Sequence, residues 1–339
     1  MTLSVLLWWA KLTRFEYWPW WIFYLPVIPY FLYQAVRARS LAFFTSANPF
    51  IELSGLVNES KADIMAHIPA QYKPLTLFFP SQTTWQHVKA ELEKGGIDWP
   101  VIIKPNIGER GKGVERIKTE ADLAKYLATN AEDFIVQEYV DFPLELGVLY
   151  CRMPGQAQGT ITSLTQKEFL AVTGDGQRTI RQLLARNVRA QFQLATLTAR
   201  LGAQLDQTLP AGETLVLEPI GNHSRGTKFV NANDRINGQL VAVFDQLAGH
   251  LPQFHYGRFD LRAPSWADLY AGRDLRIVEL NGISSEPGHI YDPAYPLWRA
   301  YRDVARHLRL LADISLAQRR RGTYPAPLRE VWAALRAWA

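Results

Sequence analysis

Two short segments late in the chain, Gly257-Arg258-Phe259-Asp260-Leu261 and Arg276-Ile277-Val278-Glu279-Leu280-Asn281-Gly282, place polar and apolar residues in near alternation. A period of two is the mark of a β-strand with one polar and one apolar face. Arg258 and Asp260 then share a face, as do Glu279 and Asn281. Antiparallel pairing of the two strands gathers a guanidinium, two carboxylates and an amide oxygen. Hard oxygen donors that leave room for water and phosphate suit Mg²⁺. An arginine beside them suits charge on a transferring phosphoryl group. Such strands need a core behind them. With 339 residues, 48% hydrophobic and 20% charged, the chain has the material for a large one, and disordered or collagen-like classes are excluded.

Upstream, Pro100-Val101-Ile102-Ile103-Lys104 reads as a buried strand that delivers a lysine. A loop with Gly108, Gly111 and Gly113 and the cations Arg110 and Lys112 follows at once. A point charge plus glycines that admit backbone N–H groups suits polyphosphate. Neither the P-loop order nor G-x-G-x-x-G is present, and a basic surface hairpin would carry the same residues. Gln137-Glu138-Tyr139-Val140 and Glu145 set two carboxylates seven apart, at the end of a predicted strand and just beyond it. They suit a base amino group and ribose hydroxyls. Two solvated acids fit as well.

Together, in this order, these motifs resemble the ATP-grasp superfamily over roughly residues 59–311, above all D-alanine–D-alanine-ligase-like and cyanophycin-synthetase-like carboxylate–amine ligases. The resemblance implies an α+β fold, two subdomains clasping ATP. It implies that Lys104 and the earlier Lys61 contact phosphates and that Gly108, Gly111 and Gly113 belong to a loop closing over ATP. Glu138 would be the hinge acid, Tyr139 and Val140 would supply backbone contacts to adenine, and Glu145 would bind ribose. Asp260, Glu279 and Asn281 would hold two Mg²⁺ ions, with Mn²⁺ as the alternative, and Arg258 and Lys104 would be catalytic. Ala171–Ile180 resembles a V-x-G-D-G-x-x-T-I segment, with Lys167 just before it near ATP. Gly221–Lys228 resembles a loop near the phosphates, where Arg225 or Lys228 would meet the γ-phosphate unless the segment is an ordinary basic turn. Ser284–His289 departs from the ligases' shorter Ser-Pro-Gly, and His289 reads as structural or substrate-orienting.

The reaction implied is formation of an acyl phosphate, then attack by an amine or thiol with release of ADP and phosphate. An ATP-grasp kinase acting on a hydroxyl uses the same ATP site, and a non-catalytic membrane-associated nucleotide-binding protein is the reading outside enzymes. The substrates expected are small-molecule or lipid-linked carboxylates and amines.

The largest departure from those ligases is N-terminal, where the stretch before Lys61 is short and the usual substrate-binding half is reduced or replaced. Ten aromatics fall between Phe15 and Tyr33, and Tyr17–Val36 is twenty residues without a charge. Pro19, Pro26 and Pro29 oppose a straight helix, and no small-residue cleavage site suggests a removable signal. Trp and Tyr favour the headgroup level of a bilayer, so a kinked segment in one leaflet is expected, with packing onto the domain or a true span as alternatives. The net charge of +5 lies in the tail: residues 299–339 hold nine Arg and three acids, or +6, which leaves the other 298 near −1. That distribution argues against a nucleic-acid surface and for an anionic membrane. Cys151, the single cysteine, fits a reducing compartment, hence a cytoplasmic protein at the inner face of a membrane. Its oligomeric state is not readable.

The organisation expected is an aromatic segment over 1–40, a reduced region over 41–72, a small ATP-grasp subdomain over 73–145, a large one with the Mg²⁺ site over 146–315, and a basic amphipathic helix over 316–339. Strands are expected at 40–44, 75–79, 101–103, 134–136, 215–217, 258–261 and 275–280. Helices are expected at 59–68, 85–94, 120–128, 178–205 with a break near Asn187, and in the C-terminal region.

Overall fold

The computed structural model describes residues 3–108 and 111–338. The chain opens with three short helices, α1 (Leu3–Thr13), α2 (Trp20–Tyr24) and α3 (Ile28–Ala38). Prolines set the breaks: Pro19 precedes α2, Pro26 lies in the 3-10 turn Leu25–Val27, and Pro29 occupies the first turn of α3. One side of this head is folded onto the protein. Phe23 stacks on Phe15 and Tyr301, with ring centroids 5.6 and 5.2 Å apart, and Ala35 and Ala38 enter a core with Leu311 and Ile314. The other side leaves Trp8, Trp9, Trp21, Leu25, Leu32 and Tyr33 exposed. The expectation of a segment lying in a leaflet is therefore corrected for the inner face, which is core. Among the described residues no helix is long and apolar enough to cross a membrane.

Residues 40–44, expected as a strand, form a turn and a 3-10 helix, Phe43–Ser46. The Thr45 and Ser46 hydroxyls donate to the carbonyls of Ala42 and Phe43 at 2.8 and 3.1 Å, local bonds that compete with a sheet ladder. Helix α4 (Lys61–Ala66) begins where Ser60 Oγ accepts the Asp63 N–H.

The first sheet holds β1 (Thr76–Phe79), β2 (Val101–Pro105), β3 (Glu115–Ile117) and β4 (Phe134–Glu138), all antiparallel, in the order β1-β4-β2-β3. Helices α5 (Trp85–Gly95) and α6 (Glu120–Leu127) cover one face. Gly96, at φ 66°, ends α5, and a Thr119–Asp122 capping box starts α6. Val101, Ile103, Phe134 and Val136 pack against Val88, Leu92 and Leu123. Period two then turns Ile102, Lys104 and Gln137 to the opposite face, toward a cleft.

The second sheet runs β11-β10-β5-β6-β9. It comprises β5 (Leu144–Cys151), β6 (Thr160–Glu168), β9 (Lys228–Asn231), β10 (Tyr256–Ala263) and β11 (Arg276–Asn281). Between β6 and β9 lie the antiparallel pair β7 (Ala171–Thr173) and β8 (Thr214–Val216) and, between these two, helices α7 (Ile180–Arg186), α8 (Val188–Phe192) and α9 (Leu194–Leu201). The break expected near Asn187 is there, with the Asn187 side chain capping α8. Helices α10 (Gly238–Gly249) and α11 (Trp266–Tyr270) back the sheet through Leu240, Phe244 and Leu269, which meet Val148 and Phe259 in one core. Helix α12 (Leu297–Arg320) runs unbroken past residue 315, where a boundary was expected, and α13 (Leu328–Trp338) follows.

Two buried histidines make this fold acid-sensitive. Burial pulls His255 down to about 4 and His307 to about 3, while an unfolded chain takes up these protons near pH 6.5. Below that pH the unfolded state binds more protons, so stability is full above 6.5 and falls as pH drops toward 4. Each histidine contributes up to about 1.4 kcal/mol per pH unit. Urea unfolding between pH 7 and 4 should show this slope, and His307→Gln should lessen it by about one proton.

Candidate active site

The two sheets face each other across a cleft of about 1020 Å³. From the first sheet come Lys104, Gln137 and Glu138; from the second come Glu145, Lys167, Arg258, Asp260, Arg262, Glu279 and Asn281. The antiparallel pairing expected for the late strands is present, with Arg258 opposite Asn281 and Asp260 opposite Glu279, and the register shifts just after Asp260.

Asp260 is the hub. Its Oδ1 lies 2.9 Å from Lys167 Nζ, and its Oδ2 accepts from Arg258 Nε at 3.2 Å and Asn281 Nδ2 at 3.1 Å. Burial would raise this carboxyl, but Arg258 and Lys167 outweigh it and hold it below the usual range. Burial likewise pulls Lys167 down, and Asp260 and Glu145 more than restore it. Gly147, opposite Asp260 on β5, makes room: a Cβ there would lie 3.2 Å from Asp260 Oδ1 and 3.3 Å from Arg258 Cδ.

Glu145, expected just beyond a strand, is instead the second residue of β5 and buried. Lys167 Nζ is 3.4 Å from its Oε1, and Arg262 holds Oε2 from Nε at 2.9 Å and Nη2 at 2.7 Å. Gly221 passes so close that a Cβ would fall 1.7 Å from Glu145 Oε1. Arg262 also donates to Val140 O at 2.7 Å and lies over Tyr139, 5.5 Å from the ring centroid, while Arg116 lies 3.9 Å from the same ring. Of the Val140 backbone groups, from which contacts to adenine were expected, the carbonyl is thus already an acceptor for Arg262. The sequence reading missed Arg262, although its signal was present: it continues the alternation of Arg258 and Asp260 by one more step of two.

Lys104 is buried, and Nζ donates to Gln137 Oε1 at 3.2 Å and Val278 O at 2.9 Å. Burial pulls this ammonium down to about 8. Among the described residues it has no carboxylate partner within ion-pair distance. Lys61, the first residue of α4, lies 4.0 Å from Glu279 Oε1 and donates to Gly108 O. Gly108 and Gly111 line the cleft. Gly113, at φ 68°, lies against Pro105, and a Cβ would meet the proline ring at 2.8 Å. Glu109 and Arg110 of this loop lie outside the described residues. Glu138 lines the cleft and accepts the Leu75 N–H at 3.2 Å.

Arg225, expected at the γ-phosphate, faces elsewhere. It donates to Val114 O at 2.9 Å and pairs with Glu218 at 3.4 Å, fastening the glycine loop from outside the cleft lining. Lys228, the other residue named for that place, pairs with Glu168. His289 is buried between Ser163 and Asp303, at 2.8 and 3.2 Å, a structural place.

No family model matches the chain, and no curated protein matches it. Solved structures similar to it include the VanG D-Ala:D-Ser ligase of Enterococcus faecalis, at 12% identity and TM-score 0.45, covering 78% of this chain and 64% of that one. D-alanine–D-alanine ligase of Bacillus anthracis, at 12% identity and TM-score 0.42, covers 78% and 68%. A bifunctional glutathione synthetase of Pasteurella multocida, at 16% and 0.37, covers 73% and 35%. The chain spans less than two thirds of the length of the VanG ligase and of the glutathione synthetase.

Removing one partner of a buried ion pair leaves an uncompensated charge, which costs about 3–5 kcal/mol. Arg262→Met should lower unfolding free energy by that amount in urea titrations. Adding Glu145→Gln to it should recover part of the loss, because the stranded carboxylate is then gone.

Proposed function

We propose that the chain is an ATP- and Mg²⁺-dependent ligase that activates a carboxylate as an acyl phosphate for attack by an amine or thiol. The observation that carries this reading is Lys104, a buried ammonium with two neutral acceptors, set across the cleft from Asp260, Glu279 and Asn281. Glu279 and Asp260 compensate this cation only in part; burying an incompletely compensated cation is costly, and a polyphosphate supplies the missing charge. The base would lie along Glu138–Val140 and the phosphates beneath Lys104, Lys61 and the glycine loop.

The oxygens of Asp260, Glu279 and Asn281 are hard donors of the kind a divalent cation takes, and Asp260 would exchange its Lys167 or Arg258 contact for the ion. Glu279 makes only a loose ion pair with Lys61, and all three line the cleft. Bound there, Mg²⁺ supplies charge neutralisation on the phosphate oxygens. Arg258, fixed by Asp260, presents its guanidinium to the charge that develops on the γ-phosphoryl group. A substrate carboxylate oxygen bonds to the γ-phosphorus while the bond to ADP breaks. The amine nitrogen then bonds to the acyl carbon, phosphate leaves, and the nitrogen loses a proton.

Candidate acids with ATP, Mg²⁺ and hydroxylamine should yield hydroxamate and ADP. A phosphorylated alcohol without hydroxamate would instead identify a kinase. Lys104→Met and Glu279→Gln should each lower kcat/KM by about 10²–10³, and unchanged turnover in both would sink the assignment.

We also propose a peripheral membrane location, supported by the exposed Trp8, Trp9 and Trp21 and by Lys11, Arg14 and Arg39 in the same segment. Interfacial tryptophans favour the headgroup level, and each cation near an anionic leaflet contributes about 1 kcal/mol. In flotation, the protein should rise with phosphatidylserine vesicles and the Trp8→Ala/Trp9→Ala/Trp21→Ala variant should not. Equal flotation of the two would remove the proposal.

A further inference from the structure

The lining of the cleft includes the aromatic head as well as the charged site. A pocket for one drug-sized ligand occupies about 300–1,000 Å³, and this cleft, at about 1020 Å³, stands at the top of that range, with a lining that includes both Arg258 and residues of the head. Trp18 and Trp20 of the head belong to that lining, with Leu335 and Trp338 of α13. Trp20 and Trp338 are largely exposed and Trp18 half-buried, so their rings retain surface for a ligand. The wall is anchored. Phe15 and Phe23 stack beneath it, and Tyr24 and Tyr291 both donate to the Glu286 carboxylate.

One polar group in this wall is incompletely satisfied. Glu16 lines the cleft, yet its side chain is only 3% exposed. Its Oε2 takes Arg189 and His223, the latter at 3.3 Å. Its Oε1 is buried and, among the described residues, has no hydrogen-bond partner. Burial works to raise this carboxyl, and His223 and Arg189 outweigh it, so it stays ionised. A buried carboxylate oxygen without a donor is costly, and a ligand N–H would relieve it.

We propose that the far end of the cleft is a subsite for an amphiphilic amine. An alkyl or aromatic body lies against Trp18, Trp20, Leu335 and Trp338, and its nitrogen donates to Glu16 Oε1. The head thereby takes the place of a separate substrate-binding domain. Identifying this amine as the acceptor rests on the ligase reading above; the subsite itself does not.

The test uses the full chain and n-alkylamines of six, eight and ten carbons, below their micelle concentrations, by titration calorimetry. A magnesium complex of a non-hydrolysable ATP analogue is titrated separately. Affinity should rise about fourfold per methylene. Trp18→Ala/Trp20→Ala should flatten that slope, whereas Trp21→Ala, on the outer face, should leave it intact. Should the double variant fail to fold, Trp338→Ala, on the terminal helix, should lower the decylamine affinity. Glu16→Gln should weaken decylamine about tenfold and leave 1-decanol unchanged.

Equal affinities for hexylamine and decylamine, or equal losses in the inner and outer tryptophan variants, would overturn the subsite. If the nucleotide analogue binds without any chain-length dependence, the subsite fails and the ligase reading stands. If the slope is present and the analogue does not bind, the reverse holds.

Discussion

Asp260 sits between two cations, the buried side chain of Lys167 and the half-buried Arg258, and the remainder of the site is arranged around that pairing. Lys167 comes from β6 and Arg258 from β10, so one carboxylate ties two non-adjacent strands across β5. Glu145 on β5 closes the lattice by taking Lys167 on one side and Arg262 on the other. Burying so many charges is tolerable only because each is paired and hydrogen-bonded. The same pairing restricts the chain nearby, and glycine occupies positions 147 and 221 because any Cβ there would press on Asp260 or Glu145.

Against this neutralised lattice, Lys104 stands out. Its hydrogen-bond acceptors are an amide oxygen and a backbone carbonyl, and Glu279 and Asp260 offset only part of the desolvation that pulls its ammonium down. The charges on the second sheet are thus paired with one another, whereas Lys104 on the first has no ion-pair partner among the described residues, an asymmetry that suits a polyanion entering from solvent. Arg225 acts at one remove, holding the loop carbonyls of Gly111 and Val114.

The aromatic head joins the two themes of the structure. Its prolines divide it into pieces short enough to bend over the mouth of the cleft. Phe23 and Val27 then bury against α12, while Trp18 and Trp20 line the cleft and Trp21 faces out. A single segment therefore contributes core, cleft wall and exposed aromatic surface, three roles that a straight helix of the same composition could not combine.

Local pattern was legible where periodicity is strong. The alternation in 258–261 and 276–281, the strand ahead of Lys104 and the break at Asn187 follow from rules that act within a few residues, and the structure has them. Strand β5 was not legible: seven of its eight residues are buried, and a strand covered on both faces loses the alternation that marks its period. Segment 40–44 failed for the opposite reason, since hydroxyl-to-carbonyl bonds outweighed its apolar strand-like character. The sequence by itself determined which residues could carry phosphate and metal chemistry, because residue type and strand period are local properties. Only the tertiary structure decided that Arg262 belongs to the site, that Arg225 fastens a loop, and that the head walls the cleft. Those outcomes depend on which buried charges meet their partners across strands far apart in the chain.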